Sequence, residues 1–205
     1  PVSLFASLSL PGETLYGWVE DFARGLVDGV RACGAEDCTI AGGDMGASGE
    51  ISVTVTALGR TDRPVLRSGA QAGDTLALAG RTGWADAGLR LLLNPLSRPA
   101  MVLLKGIANG GLSHEPLPEI PLSEGLLDLI GTLNSAEAAE MLEACERAID
   151  AQMRPISPVP LGEAARDAGA NAMLDVSDGL VKDAGRVAAA SGVQMRLDRA
   201  AVDAF

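Results

Sequence analysis

Two aspartates and a serine lie close together in the stretch NAMLDVSDGL, residues 171–180, where Asp175, Ser177 and Asp178 precede a glycine. Carboxylate oxygens are ligands that Mg²⁺ prefers, and this hard cation completes its shell with water or phosphate oxygens. A carboxylate at the end of an apolar strand is costly to desolvate unless a positive charge lies beside it. The stretch therefore indicates a magnesium site next to a phosphate ligand.

Helix capping is a simpler interpretation of the same stretch. The side chain of Ser177 or Asp178 would accept hydrogen bonds from free backbone N–H groups where a helix starts near Gly179, which stabilises a helix by about 1 kcal/mol. Capping accounts for one residue and gives Asp175 no role. Both interpretations stay open at this point.

A second acidic position occurs in AGGDMG, residues 41–46. Paired glycines after the short strand CTI let a backbone approach a ligand closely and place Asp44 at the tip of that strand. On its own, GGD is equally typical of a turn. Likewise, Arg67 in the stretch LRSGA is, by itself, typical of a solvated charge in a linker.

Hydrophobic periodicity predicts the elements that must position these residues. Apolar residues alternate over 1–10 and 51–58, which is typical of strands, and they recur every three to four residues over 13–33. The latter pattern predicts an amphipathic helix that ends at Gly34. Strand, helix, strand and strand make a compact α+β unit.

The rest of the chain alternates between further elements and irregular segments. Residues 60–74 are charged and glycine-rich, which predicts a connection between two domains. Further strands are predicted at 74–80, 172–176 and 193–198, and further helices at 83–93, 136–150 and 179–192. Asn134 and Glu137 predict a capping box. Residues 97–125 mix proline and glycine without a period and predict a long irregular segment.

Composition excludes several classes of protein. The 205 residues are 47% hydrophobic and 21% charged, and the formal net charge of −11 repels nucleic acid and anionic membranes. Three cysteines without a CxxC pair indicate a reducing cytoplasm, and no stretch is apolar enough to span a bilayer. The chain opens inside a strand pattern and ends as abruptly, so we expect an internal fragment of a longer protein.

Other catalytic chemistries find little support in the sequence. The only histidine, His114, lies in the irregular segment, so a Ser-His-Asp triad would depend on one poorly placed residue. The chain has no GxxxxGK[ST] stretch, which excludes a P-loop enzyme. The cysteines have no neighbouring basic pattern that would mark a nucleophile.

Taken in order, GGD with its alternating strand, LRSGAQAGD, GWADAGL and AMLDVSDGL resemble successive motifs of the thiamine-monophosphate kinase family. This family lies in the superfamily that includes aminoimidazole ribonucleotide synthetase. The resemblance covers most of the chain apart from residues 94–160. It implies a two-domain α+β fold with mixed or antiparallel sheets packed with helices. Residues 1–62 would end the N-terminal ATP-binding and dimerisation domain, and residues 63–205 would begin the C-terminal domain.

The resemblance also implies a reaction and the residues that support it. Asp44, Asp175 and Asp178 match the magnesium ligands of the family. Gly43, Asp44, Arg67 and Ser177 match its nucleotide contacts. The implied enzyme is a cytoplasmic homodimer that transfers a phosphoryl group from ATP to thiamine phosphate and yields thiamine diphosphate.

Two alternatives remain beside this interpretation. The chain could be another ATP-using enzyme of the superfamily, or a non-catalytic, metal-binding dimerisation fragment. The upstream aspartate cluster and the downstream substrate-binding segment of the family have no counterpart in these residues. We therefore expect the isolated 205 residues to have little kinase activity.

Overall fold

The computed structural model of the chain describes residues 1–110 and 123–200. Contacts within the chain define two compact units. The first unit combines residues 1–80 with the described residues from 156 onward, and the second unit is Arg81–Pro155. The domain boundary between residues 62 and 63 follows from the resemblance to a longer fold, and it stays a prediction.

A three-stranded mixed sheet forms the start of the first unit. Its strands are β1 (Ser3–Leu10), β2 (Thr39–Ala47) and β3 (Ser52–Leu58), and helix α1 (Tyr16–Ala32) joins β1 to β2. The strand order is β2-β1-β3, with β1 parallel to β2 and antiparallel to β3. A parallel pair needs a crossover connection, which α1 supplies. The predicted α+β unit is confirmed.

Helix α1 has the amphipathic pattern that the sequence predicts. Trp18 and Phe22, one turn apart, stack with their ring centroids 5.7 Å from each other. The helix ends just before Gly34, whose φ of +68° is favourable for glycine. A pocket of about 300 Å³ with an apolar lining lies between α1 and the sheet. The helix therefore leaves part of the sheet uncovered.

Two helices complete the first unit: α6 (Val159–Asp167) and α7 (Leu180–Ser191). The helix predicted at 179–192 is confirmed as α7. The strands predicted at 74–80, 172–176 and 193–198 are wrong for the described chain, because none of these segments forms a ladder of hydrogen bonds with a partner strand. Alternating apolar residues favour an extended segment, but only pairing makes it a strand.

The second unit is entirely helical in its described part. It contains α2 (Trp84–Leu93), α3 (Ser97–Ala108), α4 (Glu124–Gly131) and α5 (Ser135–Met153). Its core contains the buried side chains of Leu103, Leu104, Ile130 and Ala138. No helix in the described ranges has both the length and the apolarity needed to cross a membrane.

The capping box predicted for α5 is confirmed. The side-chain oxygen of Asn134 accepts hydrogen bonds from the backbone N–H groups of Ala136 and Glu137, both at 3.0 Å. The Glu137 carboxylate in turn accepts from the Asn134 N–H at 2.9 Å. Two free donors at the helix start are thereby satisfied reciprocally.

The irregular segment predicted at 97–125 is wrong where the structure describes it, since residues 97–108 form α3. Pro99 lies in the first turn, where a missing N–H breaks no intrahelical hydrogen bond. Leu103 and Leu104 then bury one side of the helix in the core of the second unit. Residues 111–122, which include His114, lie outside the described residues.

Helices α2 and α5 cross very closely. A Cβ atom added at Gly88 of α2 would lie 2.0 Å from the carbonyl oxygen of Ala148 in α5. Near the start of α2, the guanidinium carbon of Arg147 lies 5.4 Å from the ring centroid of Trp84, a cation–π distance. A glycine at position 88 is therefore required for this crossing.

We predict that Gly88→Ala destabilises the chain by about 1–3 kcal/mol, because the added methyl group must push the two backbones apart. Urea denaturation measures the change in the free energy of unfolding. Gly125→Ala in α4 is the matched control, since a Cβ there meets nothing within 4 Å. Equal stabilities of the two variants would contradict the close crossing.

Candidate functional site

The stretch DVSDG lies in the loop that precedes α7. Asp175, Ser177 and Asp178 are all classed as exposed. The expectation that Asp175 ends a buried strand is wrong, because the segment before it forms no strand and its carboxylate stays in contact with water. Desolvation of Asp175 therefore does not require a cation beside it. A metal site at this loop is supported only by the oxygen ligands that its side chains offer.

The capping interpretation of this loop is not realised. The N-cap residue of α7 is Gly179, which has no side chain, and no side-chain cap hydrogen bond is formed there. Instead, the carboxylate of Asp183, one turn into the helix, accepts a hydrogen bond from the backbone N–H of Asp178 at 2.9 Å. The side chains of Ser177 and Asp178 are left free from a capping role.

The carboxylate of Asp178 is paired with two cations. The guanidinium of Arg186 donates to its Oδ2 at 2.5 Å, and the Lys182 ammonium lies 3.1 Å from the same oxygen. Hydrogen bonding from Arg186, and then from Lys182, holds the pKa of Asp178 below its usual range. Asp178 is therefore ionised at neutral pH, as a metal ligand must be.

The stretch LRSGA is held beside the stretch that leads to DVSDG. Leu66 accepts a backbone hydrogen bond from Met173 at 3.0 Å. The backbone N–H groups of Gly69 and Ala70 both donate to the hydroxyl of Ser191 at 3.1 Å. The structure thus brings the loop of Arg67 and the loop of Asp175 together within the first unit.

Close packing also explains why position 69 in the stretch LRSGA is a glycine. The φ of Gly69 is +141°, and a Cβ atom there would lie 2.5 Å from the carbonyl oxygen of Asn171. A side chain at this position would separate the two loops. The carboxylate of Asp74 adds a second link, since the side-chain amide of Asn171 donates to its oxygens at 3.0 and 3.1 Å.

Asp44 lies in the middle of β2, and the expectation that it lies at the tip of a strand is wrong. Strand β2 continues to pair with β1 as far as Ala47, so that Asp44 is in register with Ser7. The carboxylate is exposed and accepts a hydrogen bond from the N–H of Met45 at 2.9 Å.

The glycine before Asp44 has a packing role. A Cβ atom at Gly43 would lie 1.7 Å from the carbonyl oxygen of Ala6 in β1. Next to it, the register shifts between Leu4 and Phe5, and Ala41 has no partner on β1. The close approach that the paired glycines predict is therefore an approach of β2 to β1, while a ligand contact stays a prediction.

The number of metal ligands near this loop determines how well it suits a magnesium ion. Within residues 1–110 and 123–200, no three acidic, histidine or cysteine side chains are grouped so that they could hold a metal ion. Mg²⁺ is commonly bound by one or two carboxylates, with waters and substrate phosphates as its other ligands. The exposed carboxylates of Asp175 and Asp178 fit such a site by their chemistry, without a third protein ligand.

Three residues with a structural role at this site were missed from the sequence: Asp183, Arg186 and Ser191. Asp183 and Arg186 have the i,i+3 spacing of a helical ion pair, and Asp178 and Lys182 have the i,i+4 spacing. That signal was available, although it is also typical of exposed helix surfaces. The hydrogen bond of Ser191 to a loop 122 residues away leaves no local signal.

Comparison with curated proteins identifies a class of enzyme that this chain resembles, the kinases that phosphorylate small molecules. More particularly, the relatives are thiamine-monophosphate kinases. The chain is 34% identical to that of Mycobacterium tuberculosis over 185 residues, 89% of this chain and 42% of the relative. It is 29% identical to that of Aquifex aeolicus over 191 residues, 93% of this chain and 47% of the relative. No family model matches the chain.

Solved structures agree with these matches. The structure described as AaThiL complexed with AMPPCP and TMP superposes with a TM-score of 0.62 at 28% identity, over 94% of this chain and 47% of that chain. The crystal structure of thiamine monophosphate kinase from Aquifex aeolicus gives the same TM-score and covers 50% of that chain. The resemblance predicted from the motifs is confirmed. The chain spans about half the length of the curated relatives it matches.

We predict that the link from Asp74 to Asn171 weakens in acid. A backbone hydrogen bond from Gln71, and then one from the Asn171 side chain, lowers the pKa of Asp74. A lowered pKa in the folded state contributes stability above the unfolded value of about 3.9, and that stability is lost as the pH falls through the folded value. Asp74→Asn is therefore expected to lower the urea midpoint at pH 7 and to have a smaller effect at pH 2.5.

The control for this measurement is Asp37→Asn, at an exposed aspartate of the same unit that forms no side-chain hydrogen bond or ion pair with the described residues. Asp37→Asn is expected to change the urea midpoint little at either pH. An effect of Asp74→Asn that is equally large at pH 7 and pH 2.5 would show that the carboxylate charge has no part in the link.

Proposed function

We propose that this chain takes part in the ATP-dependent and magnesium-dependent phosphorylation of thiamine phosphate to thiamine diphosphate. The observation that carries the proposal is 34% identity to a thiamine-monophosphate kinase across 89% of the chain. A relative of similar fold binds AMPPCP, which is an ATP analogue that cannot be hydrolysed, together with TMP. These ligands support ATP and thiamine phosphate as the substrates.

The proposed site uses the residues that match the family motifs. Asp44, Asp175 and Asp178 would be magnesium ligands, although the described residues do not group the three at one metal site, and Gly43, Asp44, Arg67 and Ser177 would contact the nucleotide. Bound magnesium supplies charge neutralisation for phosphate oxygens and helps to align them. The hydrogen bonds that tie the LRSGA loop to Ser191 and Met173 support this assignment, because they hold Arg67 on the same part of the unit as DVSDG.

Arg67 has a separate task in this proposal. Both substrates are anions, and the chain has a formal net charge of −11, so their approach requires local positive charge. A guanidinium can donate two parallel hydrogen bonds to phosphate oxygens and thereby neutralise and orient them at once. Placing the transferred group and its acceptor in line is the main work of a phosphoryl-transfer enzyme.

The proposal extends to the organisation of the protein. We place the chain in the two-domain fold of the aminoimidazole ribonucleotide synthetase-like superfamily, with the boundary between residues 62 and 63. We also propose a cytoplasmic enzyme, which the three free cysteines support.

A non-catalytic, metal-binding fragment is the second candidate. It is favoured by one observation, that the chain spans only 42% of the length of the thiamine-monophosphate kinase from Mycobacterium tuberculosis and so matches only part of a catalytic chain. The two candidates differ in one property that can be measured directly. A kinase chain binds a nucleotide together with magnesium, whereas a module used only for association has no reason to do so.

We predict that the 205-residue chain binds AMPPCP in the presence of Mg²⁺, and that Asp175→Asn with Asp178→Asn abolishes this binding. Asparagine keeps the size and polarity of each side chain but removes the charge that a hard cation requires. Isothermal titration calorimetry measures the affinity. The control is Asp21→Asn with Asp28→Asn, which removes two exposed charges from α1. Absence of heat with the unsubstituted chain would favour the second candidate.

We also propose a homodimer, formed through the sheet of the first unit. Val53 and Val55 lie on one face of β3 and keep 42% and 47% of their surface exposed. Val2 and Ile51, which lie just before β1 and β3, also have large exposed apolar surfaces. Exposed apolar residues on one face of a sheet are typical of a surface that associates with another chain.

We predict that Val55→Lys makes the chain monomeric, because a charge in an apolar interface must be desolvated without a partner. Light scattering at high protein concentration measures the mass. Thr54→Lys is the control, since neighbouring strand residues point to opposite faces and it therefore adds the same charge to the other face. A monomeric mass for the unsubstituted chain would contradict the proposed dimer.

A further inference from the structure

Asp183 is a deeply buried charged residue with only 2% of its surface exposed. The motif residues Asp175 and Asp178 beside it are exposed. Asp183 lies in the first turn of α7, which is an ordinary place for an aspartate in a helix. A buried carboxylate is costly unless its oxygens are fully paired. The partners of Asp183 therefore indicate why a charge is kept there.

Both oxygens of Asp183 have a partner from the region of the DVSDG loop. Oδ2 accepts a hydrogen bond from the backbone N–H of Asp178 at 2.9 Å. Oδ1 accepts one from the Nη1 atom of Arg186 at 2.6 Å. The buried carboxylate thus holds the main chain of Asp178 with one oxygen and the guanidinium of Arg186 with the other.

Arg186 uses its second terminal nitrogen on Asp178 itself. Nη2 donates to Oδ2 of the Asp178 carboxylate at 2.5 Å, and Lys182 lies 3.1 Å from the same oxygen. The other oxygen, Oδ1, accepts no hydrogen bond from the described residues, since the hydrogen bond of Arg186 and the close contact of Lys182 are both made to Oδ2. One half of the carboxylate is therefore occupied by cations of the protein, and the other half is available.

We propose that Asp183 and Arg186 are positioning residues for Asp178: Asp183 fixes its main chain, and Arg186 fixes Oδ2 so that Oδ1 remains available to a divalent cation. This inference rests on the proposed function in one respect, the role of Asp178 as a magnesium ligand. It adds residues that no motif marks. Partners of this kind, which orient a ligating side chain from behind, strongly affect metal affinity.

The planar guanidinium explains why an arginine occupies position 186. Its two terminal nitrogens point in fixed, diverging directions, so one group can hold two carboxylates at a defined angle. A lysine carries the same charge on one nitrogen without that fork. Exchange of arginine for lysine therefore separates the orienting effect from the charge, since the electrostatic balance around Asp178 stays the same.

Arg186→Lys in the 205-residue chain is the decisive variant, and binding of Mn²⁺ alone, titrated by electron paramagnetic resonance, is the readout. Mn²⁺ serves as a spectroscopic probe of a magnesium site. We expect the dissociation constant to rise 10- to 100-fold, the range typical for loss of an orienting partner. The control is Arg90→Lys, which makes the same exchange in the exposed pair of Arg90 with Asp86 on α2 and is expected to leave the constant unchanged.

A role of Arg186 as a simple counterion predicts a different result. Arg186→Lys would then bind Mn²⁺ like the parent chain, and Arg186→Met would bind it more tightly because a competing positive charge is gone. A role in helix stability alone predicts a lower thermal midpoint with an unchanged dissociation constant. Either result would overturn the proposal.

A second measurement tests the role of Asp183 without any metal. Hydrogen exchange followed by NMR reports on the Asp178 amide, which is protected while it donates to Asp183. We expect Asp183→Asn to accelerate this exchange at least tenfold relative to amides in the middle of α7. An unchanged rate would overturn the positioning role of Asp183, and if this variant fails to fold, the Mn²⁺ affinity of Arg186→Lys decides the matter.

The two proposals fail in different ways. If the parent chain binds Mn²⁺ with the expected dependence on Arg186 but does not bind AMPPCP, the proposed kinase function fails and the positioning role stands. If the parent chain does not bind Mn²⁺, Asp178 is not a metal ligand and the present inference fails with that assignment.

Discussion

Helix α7 supplies the hydrogen bonds that hold both loops of the candidate site. Near its start, the Asp183 carboxylate fixes the main chain of the DVSDG loop. At its last residue, the Ser191 hydroxyl accepts from two consecutive N–H groups of the LRSGA loop. These two points are about 12 Å apart along the helix axis. Because a helix is stiff over this distance, the spacing of the two loops is set by a rigid element.

Local charge pairing makes this arrangement possible in a strongly acidic chain. The formal net charge is −11, yet the start of α7 places Lys182 and Arg186 beside Asp178 and Asp183. Two positive and two negative side chains thus balance one another over two turns of helix. The loop can therefore present carboxylates without the mutual repulsion that an unpaired cluster would have to overcome.

The sequence predicts helices and caps well where all the residues that determine them lie within one short segment. The periodic apolar residues of α1, α5 and α7 and the reciprocal cap of Asn134 and Glu137 are local, and the structure confirms them. Residues 172–176 show the opposite case, because an apolar run alone cannot supply a partner strand. Helix α3 was missed because its segment mixes proline and glycine without a period, although Pro99 is tolerated in the first turn of the helix.

The motif residues of the candidate site could be predicted from the sequence. The residues that hold them in place could not. Asp175, Ser177 and Asp178 stand out because a carboxylate pair before a glycine is unusual beside apolar residues. The contact of Ser191 with Gly69 depends on the tertiary fold, and a serine at the end of a helix is otherwise unremarkable in sequence. Gly43 shows a further limit, since the motif alone could not separate close strand packing from close approach to a ligand.

The first unit is discontinuous in the chain, which has a consequence for the order of folding. The helical unit Arg81–Pro155 is a single continuous segment, so its contacts close short loops and can form early during synthesis. The contact of Gly69 with Ser191 spans 122 residues. On the ribosome, the LRSGA loop must therefore wait for α7 to emerge, with its N–H groups open to water or to other chains until then. The nascent sheet is complete long before the helix that organises the candidate site exists.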